Sequence, residues 1–277
     1  MTDFLKKQRA FRRLRNISII VSAVMIFMYI GAEPYIEKGF GNTAPFQLAL
    51  FVLVIISMSL LFIYESRFAK AAEFIQDIGY EISDSGYYLT TREEKDAAEF
   101  TKAAVNDLKA DGYRCESAIS VNGLDFSAVA VKGNEFIYFV SVDTADKNDI
   151  IAYTDSALYD LMQNKLKSKG NCAVVFLCSR AEDSAVRLSK TVSRTFSGKK
   201  VLKVGYAVAE LPTGKIYFRG NEPSVIQKLV ARYVLKCDLP IESRLASGDK
   251  LPYQSELENK LKSFDINEFK NGKYYER

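Results

Sequence analysis

The sequence predicts an α+β protein: an N-terminal transmembrane helical hairpin, then a cytoplasmic mixed sheet flanked by helices. Three observations carry that class. Two long uncharged apolar runs stand near the N-terminus. Three β-rich segments follow, separated by the turn dipeptides Asn122-Gly123 and Gly133-Asn134. Beyond them, a wholly apolar strand pattern and a last hairpin alternate with helical periodicity.

The first run, Asn16–Ala32, holds 17 uncharged residues, and Gly39–Tyr64 holds 26. About 20 apolar residues cross the hydrocarbon core of a bilayer as a helix. The spans are therefore placed at 16–32 and 46–64, with an extracytoplasmic loop at 33–45. Lys6, Lys7, Arg9, Arg12, Arg13 and Arg15 precede the first span, against one acid, Asp3. By the positive-inside rule this basic segment, 1–15, stays in the cytoplasm, and the second span returns the chain there. A cleaved signal peptide would want an A-x-A site, and none follows the run. The expected location is a bacterial inner membrane, multi-pass, with both termini inside.

Charge separates the anchor from the rest. The chain carries 38 Lys+Arg and 34 Asp+Glu. Residues 1–72 account for 9 basic and 4 acidic residues, leaving 29 and 30 for residues 73–277. The domain thus lacks the bulk positive charge that drives non-specific nucleic-acid binding. There is no histidine, which excludes His-based triads, general bases and zinc ligation. Cys115, Cys172, Cys178 and Cys237 match no zinc spacing and are expected reduced.

The second membrane helix is expected to continue through "ESRFAKAAEFIQDIG", and "YEISDSGYYLT" reads as a linker or short hairpin, closing a linker at 65–90. The α+β domain spans 91–240. Thr91-Arg-Glu-Glu94 has the capping-box pattern and is expected to open a helix to about Asp111. Strands follow at Tyr113–Val121, Leu124–Lys132 and Glu135–Val142, a three-strand meander. A helix over Asn148–Lys167 puts Ile151, Leu158, Leu161 and Met162 inward. "CAVVFLCS" is apolar on both faces, hence central. Ser179–Glu182 reads as a second capping box, for a helix carrying Ala185, Leu188, Val192 and Phe196. "VLKVGYAVAE" and "KIYFRG" make the last hairpin, and a helix capped by Asn221 runs from Pro223 to Lys236. The tail, 241–277, is polar and contains one short helix candidate, "SELENKLKSF".

Helix, meander, helix and central strand, over residues 91–208, resemble the restriction-endonuclease-like core of the Mrr and nuclease-related-domain type. In that family an Asp on the second strand and a Glu-x-Lys on the third hold a divalent metal. Asp125 stands at the Asp position. Ser141-Val142-Asp143 stands where Glu-x-Lys would be. A two-residue turn pairs Lys132 with Glu135, which puts Asp125 opposite Val142 and turns Asp143 to the other face. A β-bulge would be needed to reunite them, and nothing in the sequence demands one. The resemblance therefore implies a nuclease-like frame without its site. If the chain is a nuclease, Asp125, Asp143 and Glu99 (or Glu94) would hold Mg2+.

No other motif assembles. "CSRAEDSA" lacks a glycine-rich loop. Ser189 and Lys190 are adjacent, which on a helix turns them apart. The tyrosines of "GYYLTT" and the terminal "KYYER" are candidates for the membrane interface or a partner. The expected function is a non-enzymatic binding or scaffold module at the inner membrane face, with the bilayer and a protein as partners and no cofactor. The alternatives are a membrane-tethered metal-dependent nuclease and a membrane-bound small-ligand sensor.

Overall fold

The computed structural model describes residues 2–40 and 42–270. The chain forms two compact units, residues 1–79 with 255–277 and residues 80–254.

The first unit is built on α1 (Thr2–Phe40) and α2 (Ala44–Tyr64). Both contain stretches long and apolar enough to cross a membrane. Their apolar side chains are turned outward, with Phe27 77% and Phe62 74% exposed. Helix continues well outside the first apolar span: before it the flanking Leu, Lys, Arg and Ala are good helix formers, and after it the helix runs on through Pro34. The segment expected as a loop, 33–45, is helical through Phe40 and again from Ala44.

A polar seam holds the two helices together. Ser57 Oγ lies 2.6 Å from Ser18 Oγ and 2.7 Å from Ser22 Oγ, and Gln8 Nε2 donates to Tyr64 Oη at 2.9 Å. Near the opposite end Gln47 Nε2 donates to Tyr29 Oη at 3.0 Å. These pairings fix an antiparallel hairpin. Small hydroxylated residues let apolar helices approach closely, which leucine-rich surfaces alone do not specify.

After a π-helical turn, Glu65–Ala69, the chain continues into α3 (Lys70–Ser83), as the sequence predicts. Ala71 and Ile75 of α3 pack with Phe264 and Phe269, and Phe74, Leu261 and Ile266 join the cluster. The tail is thus more ordered than its polarity suggests: α8 (Gln254–Lys262) is followed by α9 (Ile266–Lys270). The terminal "KYYER" lies outside the described residues.

The second unit is a mixed sheet between two helical layers. Tyr88–Leu89 forms β1, not a linker, and α4 (Ala97–Ala110) follows. Thr91 does not cap α4. Its hydroxyl donates to the carbonyls of Leu235 and Lys236, and Asp96 caps instead, accepting from the amides of Ala98 and Glu99. The meander is β2 (Arg114–Val121), β3 (Leu124–Lys132) and β4 (Glu135–Ser141). Lys132 pairs with Glu135 in the predicted register.

A two-residue strand β5 (Thr144–Ala145) precedes α5 (Lys147–Asp160), capped by a reciprocal Asp146–Asp149 box. Its inward stripe is Ile150, Ala157 and Leu161, while Ile151, expected inside, is 44% exposed. The cap at Asp146 sets the helical phase, and that phase selects Ile150. Strand β6 (Lys169–Cys178) runs parallel to β4 on one side and β9 (Lys200–Glu210) on the other, and is the buried centre. β7 (Arg180–Ala181) pairs with β5.

The next helix, α6 (Asp183–Ser189), ends early. Val192 and Phe196 lie on β8 (Val192–Ser197), which pairs antiparallel with β9. β-branched Thr191, Val192 and Thr195, with Gly198 at φ 57°, favour a hairpin over helix continuation. β10 (Lys215–Tyr217) completes the order β1-β10-β9-β6-β4-β3-β2. α7 (Val225–Val230), continued by a π-helical turn to Leu235, is capped by Ser224 rather than Asn221. Asn221 instead donates to Tyr80 O and Ser83 Oγ, both at 2.7 Å.

Two cores result. One lies between the sheet and α4 with α7, around Phe100, Leu108, Phe139 and Leu229. The other lies between the sheet and α5 with α6, around Phe126, Tyr138, Phe176 and Leu161.

Candidate binding groove

The sheet's regular pleat breaks under α4. Ala128 and Ala130 pack in the core beneath α4, whereas Phe126 joins Val129 in the opposite core. The β2–β3 ladder runs from Ser117 with Ala128 to Ile119 with Phe126, passing over Ala118 and Ser127. Ala118 has φ 54°, a left-handed conformation uncommon for a residue with a Cβ. One residue on each strand is thus inserted, so both strands switch face while the register is kept.

This bears on the two aspartates. Their assignment to opposite faces assumed an unbroken pleat, and the kink removes that assumption. The β3–β4 ladder also stops at Ala128 with Phe139, short of Asp125. Asp125 is exposed, opposite Ser120, and its charge adds to burial in raising the Tyr153 phenol. Asp143 is exposed just past β4, where its carbonyl accepts from the amides of Ser179 and Arg180. Its carboxylate contributes to raising Cys178, mainly through burial, to about 12. Glu99 is exposed on the first turn of α4. Glu94 sits 3.9 Å from Arg92, whose buried guanidinium also donates to Tyr233 O at 2.9 Å and to Asp107 at 2.5 Å. Glu94 is thus in loose charge contact with the buried Arg92, and its Oε2 has no hydrogen-bond partner among the described residues. Among the described residues, no group of three or more His, Cys, Asp or Glu is arranged to hold a metal ion.

What the kink does create is a groove of about 480 Å³ between α4 and the sheet. Its floor carries Ser117, Ser127 and Ser141, one from each meander strand. Residues this small under a helix leave volume unfilled, where Leu or Phe would close it. The wall carries Thr101, Lys102, Asn106 and Lys109, which helical spacing sets along one side of α4. Ala97, Ala98 and Val105 supply apolar surface. No acidic side chain lines it. Thr101 is 7% exposed, and its Oγ1 has no hydrogen-bond partner among the described residues. A buried hydroxyl left without a partner costs about 1–3 kcal/mol. Lys102 and Lys109 are exposed and make no ion pair with another described residue.

A second cleft, about 380 Å³, lies at the β3–β4 turn. Several of its polar and charged groups are already matched: Tyr113 donates to Glu135, Tyr233 to Asp111 at 2.7 Å, Arg232 to Asp111 at 2.9 Å, and Lys132 to Asp111 O at 2.7 Å, while the Lys228 ammonium makes no ion pair with a described residue. The Asp111 and Glu135 carboxylates are thus engaged with neighbouring side chains.

Sequence reasoning missed one buried ionic centre. Lys190 is fully buried, and its Nζ donates to Asp84 Oδ2 at 3.0 Å, Ser85 O at 2.6 Å and Phe218 O at 2.9 Å. Asp84 also accepts from Tyr88 Oη at 2.5 Å and from the Gly220 amide at 3.3 Å. Burial holds the Lys190 ammonium below its ordinary value, against the opposing pull of Asp84. All three ammonium protons are used, which makes this a structural clamp. Ser189 is no nucleophile for it, since its hydroxyl donates to Val186 O at 2.7 Å. An end-of-helix lysine offers no sequence sign of burial; "Asp84…Lys190" are too far apart to associate by pattern.

No protein-family model, characterised protein or solved structure matches this chain.

Proposed function

We propose that this chain is a membrane-anchored, non-enzymatic binding module. The apolar hairpin holds an α+β domain at the inner face of a bacterial membrane, with both termini in the cytoplasm. The observation that carries the anchor is the outward apolar surface of α1 and α2: in each, only 6% of an 18-residue apolar stretch is buried. Apolar surface on that scale is unstable in water and is matched by lipid. The basic residues before the first span supply the orientation.

For the domain, the groove under α4 supports binding over catalysis. It holds hydroxyls, an amide and ammonium groups, and no carboxylate, histidine or thiol to serve as base or nucleophile. A small-ligand sensor is the second reading, favoured by the groove of about 480 Å³ under α4. The rival nuclease reading rests on Asp125, Asp143 and Glu99 with Mg2+.

Three measurements test this. Alkaline carbonate should leave the protein in the membrane pellet, and release into the supernatant refutes the anchor. A C-terminal reporter should be active only inside the cell. The purified chain should leave labelled nucleic acid intact with Mg2+ or Mn2+; metal-dependent cleavage abolished by Asp125→Ala would establish the nuclease instead.

A further inference from the structure

We infer that one end of the helical hairpin, where Arg15 meets Tyr64, is a collar that binds anionic phospholipid. Arg12, Arg13, Arg67 and Lys70 hold the headgroup phosphates there. This rests on reading α1 and α2 as the membrane anchor, and it adds the class of lipid that the anchor selects.

Depth carries the first part of the inference. The uncharged runs border this end at Asn16 on α1 and at Tyr64 on α2. Arg15 joins the two: its guanidinium lies 4.3 Å from the centre of the Tyr64 ring and 3.7 Å from Glu65. Helix runs past both borders, back through residues 2–15 of α1 and on through Glu65–Ala69 into α3. At the helical rise per residue, Arg12, Arg13 and Arg67 stand about 5–6 Å beyond the apolar runs and Lys70 about 9 Å. The headgroup layer is roughly 5–8 Å deep on each side of a bilayer. Long flexible stems carry the charged heads of these side chains across the remaining few ångströms.

Charge carries the second part. Residues 10–15 and 65–70 hold Arg12, Arg13, Arg15, Arg67 and Lys70 against a single acid, Glu65. Glu65 faces Arg15, which also bonds to Asn16 Oδ1 at 2.9 Å. Arg12, Arg13, Arg67 and Lys70 are exposed and make no ion pair with another described residue. The acids of α8 and α9 sit farther from the apolar runs, since Phe264 packs on Phe4 and Phe74. An aromatic seam keeps the four cations together on adjacent helices: the Phe68 ring lies 5.3 Å from Phe11 and 6.3 Å from Tyr64, centre to centre. Guanidinium forks suit phosphate oxygens. A zwitterionic headgroup answers its phosphate with its own ammonium, so the lipid that neutralises this collar is one of net negative charge.

The test uses the full chain in a neutral detergent with equal amounts of phosphatidylglycerol and phosphatidylcholine of the same acyl chains. Native mass spectrometry counts the lipids retained. Phosphatidylglycerol should be retained over phosphatidylcholine by at least about tenfold. Raising the salt to about 0.5 M should cut that preference at least about threefold, because the cations are exposed. The variant Arg12→Gln, Arg13→Gln, Arg67→Gln, Lys70→Gln should bring the ratio close to one. Lys6, Lys7, Arg9 and Arg15 remain in it to orient the hairpin. Arg12→Lys, Arg13→Lys, Arg67→Lys keeps the charge and should keep most of the preference. Equal retention of the two lipids by the native chain overturns the proposal. So does a preference that high salt leaves unchanged, or one that persists in the glutamine variant. Retention of a labelled RNA oligonucleotide in place of phosphatidylglycerol would assign the collar to nucleic acid and overturn it as well. Failure of the membrane anchor would appear separately, as protein soluble without detergent.

Discussion

Lys190 donates from Nζ to Asp84 Oδ2 at 3.0 Å, and neither side chain is exposed to solvent. The pair ties the end of α6 to the turn after α3, residues 106 apart in sequence. Removing one partner strands the other as a buried charge, at a cost of about 3–5 kcal/mol. Lys190→Met and Asp84→Leu should each destabilise the domain by roughly that much, and the double variant by clearly less than the sum. Urea midpoints of the four proteins check this. Additive effects would show that the two charges do not act as a pair.

Gly220 touches the same centre. A Cβ there would lie 2.5 Å from Cε2 and Oη of Tyr88. That ring is held in place by its bond to Asp84 and cannot swing away freely. Gly220→Ala should therefore cost about 1–3 kcal/mol by overpacking. Gly39→Ala, with nothing within 4 Å, is the control and should change stability little.

The helical hairpin makes its own prediction. Ser57 serves both Ser18 and Ser22. Ser57→Ala should weaken the hairpin by about 0.6–1.7 kcal/mol, the range for hydrogen bonds between helices in lipid. Titration with a denaturing detergent, followed by a fluorescence pair placed on α1 and α2, would measure it. An unchanged midpoint would mean that the apolar contacts alone specify the pairing.

Alkaline pH should destabilise the domain. Burial, ahead of nearby acids, raises the Cys237 thiol from 9.0 to about 11 and the Tyr217 phenol from 10.0 to about 12. Burial, with the Asp111 hydrogen bond next, raises Tyr233 to about 12 as well. Each folded value lies above the unfolded one. The stabilisation is then complete below the unfolded value and is lost as pH rises through the folded value. Lys190, held low by burial, works in the opposite sense. The net expectation is a fall in unfolding midpoint between about pH 9 and 12. The chain has no tryptophan, so tyrosinate absorbance reports the ionisation directly. A midpoint flat across that window would refute the assignment.

The parts of the fold that sequence made legible are those with dense local signals. Asn122-Gly123 and Gly133-Asn134 mark the meander to within a residue or two, and the Lys132–Glu135 pairing follows from the turn length alone. The unbroken apolar run through Cys172 and Cys178 marks the central strand for the same reason. Capping departs from the sequence pattern where a polar side chain has a distant alternative, as at Thr91 and Asn221. Thr91 bonds to carbonyls near residue 235, and no pattern in "TREE" announces that. The helix over 179–196 was overextended because Val192 and Phe196 fit helical spacing as well as they fit β8. The groove was invisible for a further reason. It depends on a kink at Ala118 and Ser127, where neither residue is a glycine or proline, and on three serines that meet only across the meander.

The first unit is discontinuous, since Phe264 and Phe269 complete the packing around Ala71 and Ile75 of α3. Until residues 254–270 have been made, that patch is unsheathed. A nascent polypeptide stalled before residue 255 would present Phe74 and Ile75 to chaperones and proteases, so the helices at 254–270 act as a seal on a segment made about 180 residues earlier.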